Sequence, residues 1–273
     1  MSQTTQQPSN PLAAVQSVYS GPEGKLWELL MGEQTHIGGL TSSMDLAQKA
    51  KIRPDTQGVD FCCCSGAGMR FLIRFCGVAA MTGVDATATM VELGKKRCQE
   101  EHCDDRIQFV LADVCKSGLA AASADFVWGE DAWCYVEDKD TMIAEACRIV
   151  RPGGTIAFTD WLLGDVPMTA DELQRTLAFM KFPSLQSRSG YAALLEQHGC
   201  TITHIEDTGR FADHVDLYLK MVGMQLTYDA LKIINFDQAM LKTIGEEMTA
   251  MHRLACEGKI IQGLFVAQRT EVR

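Results

Sequence analysis

The middle of the chain alternates short apolar runs with segments of helical periodicity, and this pattern restricts the fold more than any other feature. The apolar runs occupy residues 59–64, 78–84, 107–111, 124–128 and 155–158. The helical segments between them occupy residues 69–75, 87–101 and 139–150. Strands that alternate with helices of this length form βαβ units and a parallel sheet.

This order of elements predicts an α/β protein with a Rossmann-like, doubly wound, mostly parallel seven-stranded sheet and a helical cap. Apolar runs at 201–205 and 263–268 supply the last two strands. The cap is expected from residues 12–31 and from the insertion at 161–190. Right-handed crossovers bring the carboxyl ends of parallel strands to one rim of the sheet, where ligands bind in open α/β sheets.

Charge and hydropathy exclude several classes of protein. The 273 residues carry 25 Lys and Arg against 35 Asp and Glu, a net charge of −10, so no basic stripe is available to neutralise a nucleic acid. No run of about 18 apolar residues is present to cross a bilayer. Residues 1–11 are polar and uncharged, unlike a signal peptide. We therefore expect a cytoplasmic protein that binds neither nucleic acid nor membrane.

The 11 cysteines are expected to be free thiols that pack as small apolar side chains. An odd number in a chain of this size argues against a disulfide framework. Cys62, Cys63 and Cys64 fall on the first predicted strand, where neighbouring side chains point to opposite faces and cannot face one metal ion together. Cys98 and Cys103 lack the second pair of ligands that a zinc site needs. No metal is expected.

Acidic residues end or follow the first three strands: Asp60, Asp85 and Asp113. A carboxylate at the tip of the second strand suits a ribose diol, because it accepts two charge-assisted hydrogen bonds. The turn at residues 64–68 (CSGAG) enters a helix, and its small residues let a ligand approach backbone N–H groups. It does not match the dinucleotide fingerprint G-x-G-x-x-G. One acid after a strand is often only a helix cap, whereas three in successive units indicate a ligand site.

Four stretches resemble, in order, the motifs of class I S-adenosylmethionine-dependent methyltransferases. They are residues 59–68, 83–85, 111–114 and 151–154. A weaker likeness points to the small-molecule branch, which includes sarcosine/dimethylglycine, phosphoethanolamine and tocopherol methyltransferases and sugar O-methyltransferases. That likeness rests on residues 32–38, 130–133, 159–160, 205–207 and 263–265.

The resemblance implies bound S-adenosylmethionine and a division of the chain into three parts. Residues 1–54 are expected to form an N-terminal helical segment and cap. Residues 55–165 are expected to form the cofactor-binding α/β core. Residues 166–273 are expected to supply cap helices and the C-terminal part of the same domain.

The resemblance also implies roles for individual residues. By position, Asp60 supports the methionine end of the cofactor and Asp85 binds the ribose hydroxyls, while Asp113 and Val114 hold the adenine. The full set of candidate cofactor-binding residues is Asp60, Cys62, Cys64, Ser65, Gly66, Asp85, Ala86, Asp113, Val114, Gly129 and Glu130.

The sequence departs from the family pattern at two places. Cys62 and Cys64 stand where the family usually has glycine, so a Cβ and a sulfur are expected to crowd the methionine moiety or to shift the backbone. Tyr135 stands where related enzymes often have a histidine that acts as base or positions the substrate. An unperturbed tyrosine, with a pKa of about 10, is a poor base at neutral pH.

The catalytic candidates are Asp160, Tyr135 and His36. Asp160 ends the fifth strand and is expected to point toward the rim as base or cation partner, with a cap of the next segment as the alternative. His36 lies in a glycine-flanked loop (THIGG), where it reaches the site or caps the surface. Trp133 and Tyr135 are expected either to hold a cationic amine by cation–π contact or to pack structurally.

The reaction expected from the resemblance is methyl transfer from S-adenosylmethionine to a small molecule, with the nitrogen of an amine or amino acid favoured. O- or C-methylation of a natural product or isoprenoid is one alternative, a soft thiol or arsenic acceptor is another, and a non-catalytic cofactor-binding protein is a further one. Arg175 and Arg188 are either partners for a substrate carboxylate or solvated surface residues. The Met-rich residues 212–257 are expected to form core or the face of a homodimer.

Overall fold

The structure is a computed structural model that describes residues 11–270. Residues 1–10, part of the segment interpreted above as unlike a signal peptide, lie outside the described residues. The strands are β1 (Gln57–Phe61), β2 (Ala80–Asp85), β3 (Ile107–Leu111), β4 (Ala124–Glu130), β5 (Val150–Leu163), β6 (Gln186–Ser187), β7 (Cys200–Asp207) and β8 (Ile260–Arg269). The helices are α1 (Pro11–Ser20), α2 (Pro22–Met31), α3 (Gly39–Lys49), α4 (Ala67–Phe75), α5 (Ala88–Glu100), α6 (Lys139–Ile149), α7 (Ala170–Met180), α8 (Arg188–Gln197), α9 (Phe211–Gly223), α10 (Thr227–Ile233) and α11 (Gln238–Cys256).

Seven strands form one sheet in the order β3-β2-β1-β4-β5-β8-β7, and the two-residue β6 pairs with β5. Neighbours from β3 to β5 are parallel, whereas β8 runs antiparallel to both β5 and β7. The predicted Rossmann-like, mostly parallel seven-stranded sheet is confirmed. The strand order reverses between β1 and β4, which is where open α/β sheets bind ligands.

Several strand boundaries differ from the prediction, and the difference at the end of β1 affects the site. β1 ends at Phe61, so Cys62, Cys63 and Cys64 lie in the turn after the strand and not on it. β5 begins at Val150, directly after α6, and continues through residues 151–154, which were not part of the predicted strand. Val150 pairs with Ala124 of β4, and a register shift separates this pair from the continuous pairing with β4 and β8 that begins at Thr155.

Buried side chains form a core on each side of the sheet and a third cluster under the cap. The sheet cores contain Phe61, Phe158 and Phe265 on one face and Met69, Phe126 and Trp128 on the other. The cap cluster joins α2, α9 and α11 to residues 161–185 at the end of the sheet. The predicted Met-rich helices contribute Met248 and Met251 to this cluster, each at most 4% exposed.

Local signals account for some elements and fail for others. α7 begins with a capping box, in which Thr169 and Glu172 each accept a backbone hydrogen bond from the other. α3 was not predicted, because its sequence (GLTSSMDLAQK) starts with glycine and has few apolar residues. Its buried positions, including Ser43 and Leu46, become inward-facing only when the helix packs on the sheet.

The cysteines within the described residues are free thiols, and Cys256 is the exposed one. Between residues 11 and 270, no helix is both long enough and apolar enough to cross a membrane. The same range contains no group of three or more His, Cys, Asp or Glu side chains able to hold a metal ion.

Candidate active site

A cavity of about 550 Å³ lies at the carboxyl ends of the parallel strands, under α1 and the loop at 33–36. This volume is within the range of small-molecule sites, about 300–1,000 Å³. The candidate residues that line it are His36, Asp60, Cys62, Cys64, Ser65, Asp85, Ala86, Asp113, Val114, Glu130 and Tyr135. Gly66, Gly129 and Asp160 do not line it.

The turn after β1 has the backbone conformation of a glycine-rich loop although two of its residues are cysteines. Cys62 and Cys64 have φ values of 59° and 49°, in the left-handed region, and Gly66 follows at 76°. The Cys64 N–H donates to the Asp85 Oδ2 at 2.8 Å, which ties the turn to β2. The backbone is therefore not shifted away from the cavity, and the thiol side chains are part of its wall.

The thiols in this turn are neutral at physiological pH. Burial raises the pKa of Cys62 well above its ordinary value and, together with the charge of Asp85, raises the pKa of Cys64 to about 12. A protonated, desolvated thiol is a weak nucleophile. Cys62 and Cys64 act here as small side chains that shape the cavity.

Asp60, at the end of β1, is a buried carboxylate that faces the cavity. Its residue is 4% exposed, and the described residues offer its oxygens no hydrogen-bond donor. Burial, followed by the charges of Glu130 and Asp85, raises the pKa of Asp60 well above its ordinary value. A Cβ on Gly68 would lie 2.7 Å from Glu130 Oε2 and 3.3 Å from Asp60 Oδ2, so the helix start approaches both acids closely. An unpaired buried carboxylate of this kind fits the ammonium group of the cofactor's methionine end.

Asp85 and Asp113 lie at the two strand ends where the ribose and the adenine were expected. Asp85 accepts the Thr87 N–H at 2.8 Å in addition to that of Cys64, and these bonds oppose the rise in its pKa that burial causes. Asp85 lines the cavity, and its carboxylate there fits a ribose diol. Asp113 accepts the Cys115 N–H at 2.8 Å and caps the short 3₁₀ turn Val114–Lys116, so it has the role of a helix cap as well as a place in the wall.

His36, Ser43 and Glu130 form a buried polar cluster, and His36 and Glu130 line the cavity. His36 Nε2 lies 3.3 Å from Glu130 Oε1 and 3.2 Å from Ser43 Oγ, and Ser43 Oγ donates to Glu130 Oε1 at 2.7 Å. The backbone behind His36 is fixed, because the Ile37 N–H donates to Asp131 Oδ2 at 2.8 Å. Glu130 therefore contacts the histidine in addition to facing Gly68.

Tyr135 meets a tyrosine that the sequence reasoning missed. The Tyr19 hydroxyl from α1 donates to the Tyr135 hydroxyl at 3.3 Å, and the two rings meet edge to face at 5.7 Å. Burial raises the pKa of both phenols above the ordinary value, so both are neutral. The aromatic wall of the cavity is this pair. No sequence signal marks Tyr19, because its partner is 116 residues away.

Asp160 is not at the rim as expected. It is fully buried, with Oδ1 accepting the Cys134 N–H at 3.0 Å and Oδ2 accepting the Tyr191 hydroxyl at 2.7 Å. Burial raises its pKa to about 7. Side chains alternate between the two faces of a strand, and at this point of β5 Asp160 faces α8.

Three further residues pack in the interior instead of lining the cavity. A Cβ on Gly129 would lie 2.2 Å from Trp133 Nε1, so this glycine makes room for the indole. Trp133 is buried and stacks on Phe158 at 4.0 Å between ring centroids. Gly66 faces Phe109, which would lie 2.7 Å from an added Cβ.

Two arginines, neither of which any sequence motif singled out, join the turn after β1 to the N-terminal segment. Arg70 Nη1 donates to the Ser65 carbonyl oxygen at 2.6 Å, and Arg97 Nη1 donates to Ser65 Oγ at 2.9 Å. The same guanidinium groups bind Glu33 and Glu28 respectively. The cofactor turn and the segment that covers it are therefore held by one set of ion pairs.

Arg175 and Arg188, the candidate partners for a substrate carboxylate, lie elsewhere. They pair with Glu247 at 2.8 Å and with Asp165 at 2.5 Å, and neither lines the cavity. The side chain of Arg175 is 53% exposed and that of Arg188 is 33% exposed, which agrees with the alternative that both are surface residues.

The comparisons with known proteins agree with this geometry. The family model described as "Methyltransferase domain" matches residues 59–158. Methyltransferase GfsG of Streptomyces halstedii is 27% identical over 214 residues, which are 77% of this chain and 71% of that protein. The 27-O-demethylrifamycin SV methyltransferase of Amycolatopsis mediterranei is 29% identical over 133 residues, 48% of this chain and 49% of that protein, so the chain spans about half its length.

A solved structure shows the same fold over nearly the whole chain. Phosphoethanolamine N-methyltransferase 2 of Haemonchus contortus superposes with a TM-score of 0.84 at 16% identity, covering 97% of this chain and 61% of that one. The matched family segment, residues 59–158, contains Asp60, Asp85 and Glu130, whose carboxylates surround the cavity. Residues 59–158 therefore match a methyltransferase domain, and the comparisons support a class I S-adenosylmethionine-dependent methyltransferase.

Proposed function

We propose that this methyltransferase acts on the nitrogen of an amine or amino acid, with His36 as the base. The observation that carries the proposal is the His36–Glu130 pair, which lies in the wall of the same cavity as Asp60 and Asp85. Its substrate is a small molecule. A cytoplasmic location and a homodimer stay predictions.

Methylation of an ammonium nitrogen requires the protein to position the acceptor against the cofactor and to supply one proton acceptor. When bound, S-adenosylmethionine supplies an electrophilic methyl group on a sulfonium sulfur. An ammonium nitrogen attacks only after it has lost a proton, and His36 supplies the imidazole in the described lining that would accept it. Glu130 Oε1, at 3.3 Å, would stabilise the imidazolium that results.

The other catalytic candidates have different places in this proposal. Tyr135, neutral and paired with Tyr19, would position the acceptor and contribute no base. Asp160 contacts no part of the cavity, and its oxygens already accept two hydrogen bonds, so we do not retain it as the base.

A second candidate is methylation of a hydroxyl group on a natural product. It is favoured by the relative from Amycolatopsis mediterranei, whose name specifies an O-methyltransferase reaction on a rifamycin. His36 would deprotonate a hydroxyl in the same way. The two candidate functions differ in the acceptor atom and share the same proposed base, His36.

The first experiment is calorimetric titration with S-adenosylmethionine and S-adenosylhomocysteine, followed by an acceptor screen that detects S-adenosylhomocysteine release. Amines and amino acids form one arm, and phenols and other hydroxyl compounds form the other. Turnover in the first arm supports nitrogen methylation, whereas turnover confined to the second arm overturns it.

The role of His36 is tested on the best acceptor with His36→Gln. Loss of a positioned base lowers kcat by about 10²- to 10⁴-fold, while cofactor affinity stays close to that of the unmodified protein. His198→Gln is the matched control, because His198 pairs with Asp140 on α6, away from the cavity lining. A kcat within about threefold of the starting value would remove His36 from the proposal.

A further inference from the structure

The charged side chains that line the cavity have one sign. Apart from His36, every ionisable side chain with a formal charge in the described lining is an aspartate or a glutamate, and that lining contains neither lysine nor arginine. Asp60, Asp85 and Glu130 are close enough that the last two destabilise the charge on the first. The described wall therefore offers an acceptor carboxyl groups and no lysine or arginine.

The cations nearest to this wall are committed to other partners. Arg70 and Arg97 bind Glu33 and Glu28 and hold the turn at Ser65 from behind. Lys139 is buried at the start of α6, and its Nζ donates to the Val136 carbonyl oxygen at 2.8 Å and to Ser184 Oγ at 3.0 Å. Neither arginine nor this lysine is among the lining residues.

The helix starts around the cavity are also closed to an anionic substrate group. Asp138 accepts the Thr141 N–H at 2.9 Å and caps α6, and Asp113 caps the 3₁₀ turn after β3. Asp85 accepts the Thr87 N–H at the start of α5. The chain's own carboxylates thus occupy the places where backbone N–H groups would bind a carboxylate or phosphate. The start of α4 at Gly66 to Gly68 adjoins the cofactor turn, where the resemblance places the cofactor itself.

The surfaces left for the acceptor suit a cation. Tyr19 and Tyr135 present neutral aromatic rings, and His36 with Glu130 supplies a hydrogen-bond acceptor and a negative charge. An ammonium group gains from both, by cation–π contact and by pairing with the carboxylate. A carboxylate or phosphate would face like charges without a guanidinium to bind it, and such like-charge placement is strongly unfavourable.

We propose that the methyl acceptor is a cationic amine that carries no carboxylate or phosphate group. The inference rests on the proposed nitrogen methylation and narrows it, because amino acids and phosphorylated amines are excluded as preferred acceptors.

The test compares acceptors that differ only by an acidic group. The pairs are tyramine and tyrosine, 1,4-diaminobutane and ornithine, and ethanolamine with serine and with phosphoethanolamine. Two quantities are measured for each compound with the full-length protein: kcat/KM from S-adenosylhomocysteine release, and binding to the protein loaded with S-adenosylhomocysteine by calorimetry. We expect each acid-free amine to exceed its partner by at least about tenfold in one or both quantities.

The outcomes separate this inference from the proposed function. Equal or better turnover of the amino acids or of phosphoethanolamine overturns the inference and leaves nitrogen methylation in place. Equal or weaker binding of every acid-free amine, relative to its acidic partner, overturns the inference even where no compound turns over. Methylation of hydroxyl compounds alone overturns the nitrogen proposal and the inference with it.

Discussion

Two cysteines in the left-handed region are the most unusual residues of the site. Cys62 and Cys64 have φ values of 59° and 49°, where a side chain with a Cβ costs about 1–2 kcal/mol relative to glycine. The conformation is kept because the backbone is bound to β2, with the Cys62 N–H donating to the Val84 carbonyl oxygen at 2.9 Å. The strain lies at the cofactor turn itself.

We therefore expect Cys62→Gly and Cys64→Gly each to raise the free energy of unfolding by about 0.5–1 kcal/mol, once the entropy of glycine in the unfolded chain is counted. The measurement is urea denaturation of each variant. Cys63→Gly is the matched control and should destabilise the protein, because Cys63 is 6% exposed and is not in the left-handed region. Destabilisation by all three changes would show that buried sulfur contacts outweigh the backbone strain.

Asp85 is the residue whose loss should affect cofactor binding most directly. Asp85→Ala removes the acceptor proposed for the ribose hydroxyls and also frees the N–H groups of Cys64 and Thr87. Charge-assisted hydrogen bonds contribute about 1.5–3 kcal/mol each, so the Kd for S-adenosylmethionine should rise by about 100-fold or more. Calorimetry measures the change, and Asp104→Ala, an exposed acid between α5 and β3, is the control. An unchanged Kd would contradict the ribose assignment.

At the scale of elements, the turn after β1 depends on α5 and on the N-terminal segment. Arg97→Met removes the bond to Ser65 Oγ and the ion pair with Glu28 while keeping a similar aliphatic volume. We expect the Kd for S-adenosylmethionine to rise by about 5- to 10-fold because the turn is less well fixed. Lys96→Met, on the exposed side of the same helix, is the control. Equal affinities in the two variants would mean that the arginine is a surface ion pair of little consequence.

Hydrophobic periodicity was sufficient to predict the core elements but not the ends of two strands. The alternation between residues 59 and 158 gave the strands and helices of the core, because each buried face repeats along its own segment. It placed the cysteines at 62–64 on a strand and left residues 151–154 outside the predicted strand at 155–158. Both errors concern strand ends, which depend on partners: β1 pairs with β2 only as far as Phe61, and the start of β5 pairs with β4 through Val150 and Ala124.

At the scale of the whole molecule, Asp160 links the stability of the fold to pH. Its pKa is about 7 in the folded protein because it is buried, against an ordinary value near 4 in the unfolded chain. Between about pH 4 and pH 7 the folded chain binds a proton that the unfolded chain does not, so this group's contribution to stability falls as the pH rises.

Asp160→Asn should remove this loss of stability with rising pH. Because asparagine does not ionise, we expect the variant to gain stability relative to the unmodified protein as the pH rises from 4 to 7, by up to about 4 kcal/mol. Urea unfolding at several pH values measures the difference between the two proteins. Asp165→Asn, an exposed carboxylate at 82% exposure, is the control. A difference that stays constant across this range would contradict the buried, proton-binding assignment.

The sequence by itself determined the alternation of strands and helices in the core, the resemblance to methyltransferases, and the acids at or near the ends of β1 and β2. These features are local, since a strand's periodicity and the residue at its tip lie within a few positions of each other. The tertiary structure alone decided which face each tip residue presents and what it meets. It turned Asp160 into the interior, brought His36 to Glu130, and joined Tyr19 to Tyr135 across 116 positions. Those contacts depend on how the cap packs on the sheet, and no single segment encodes that packing.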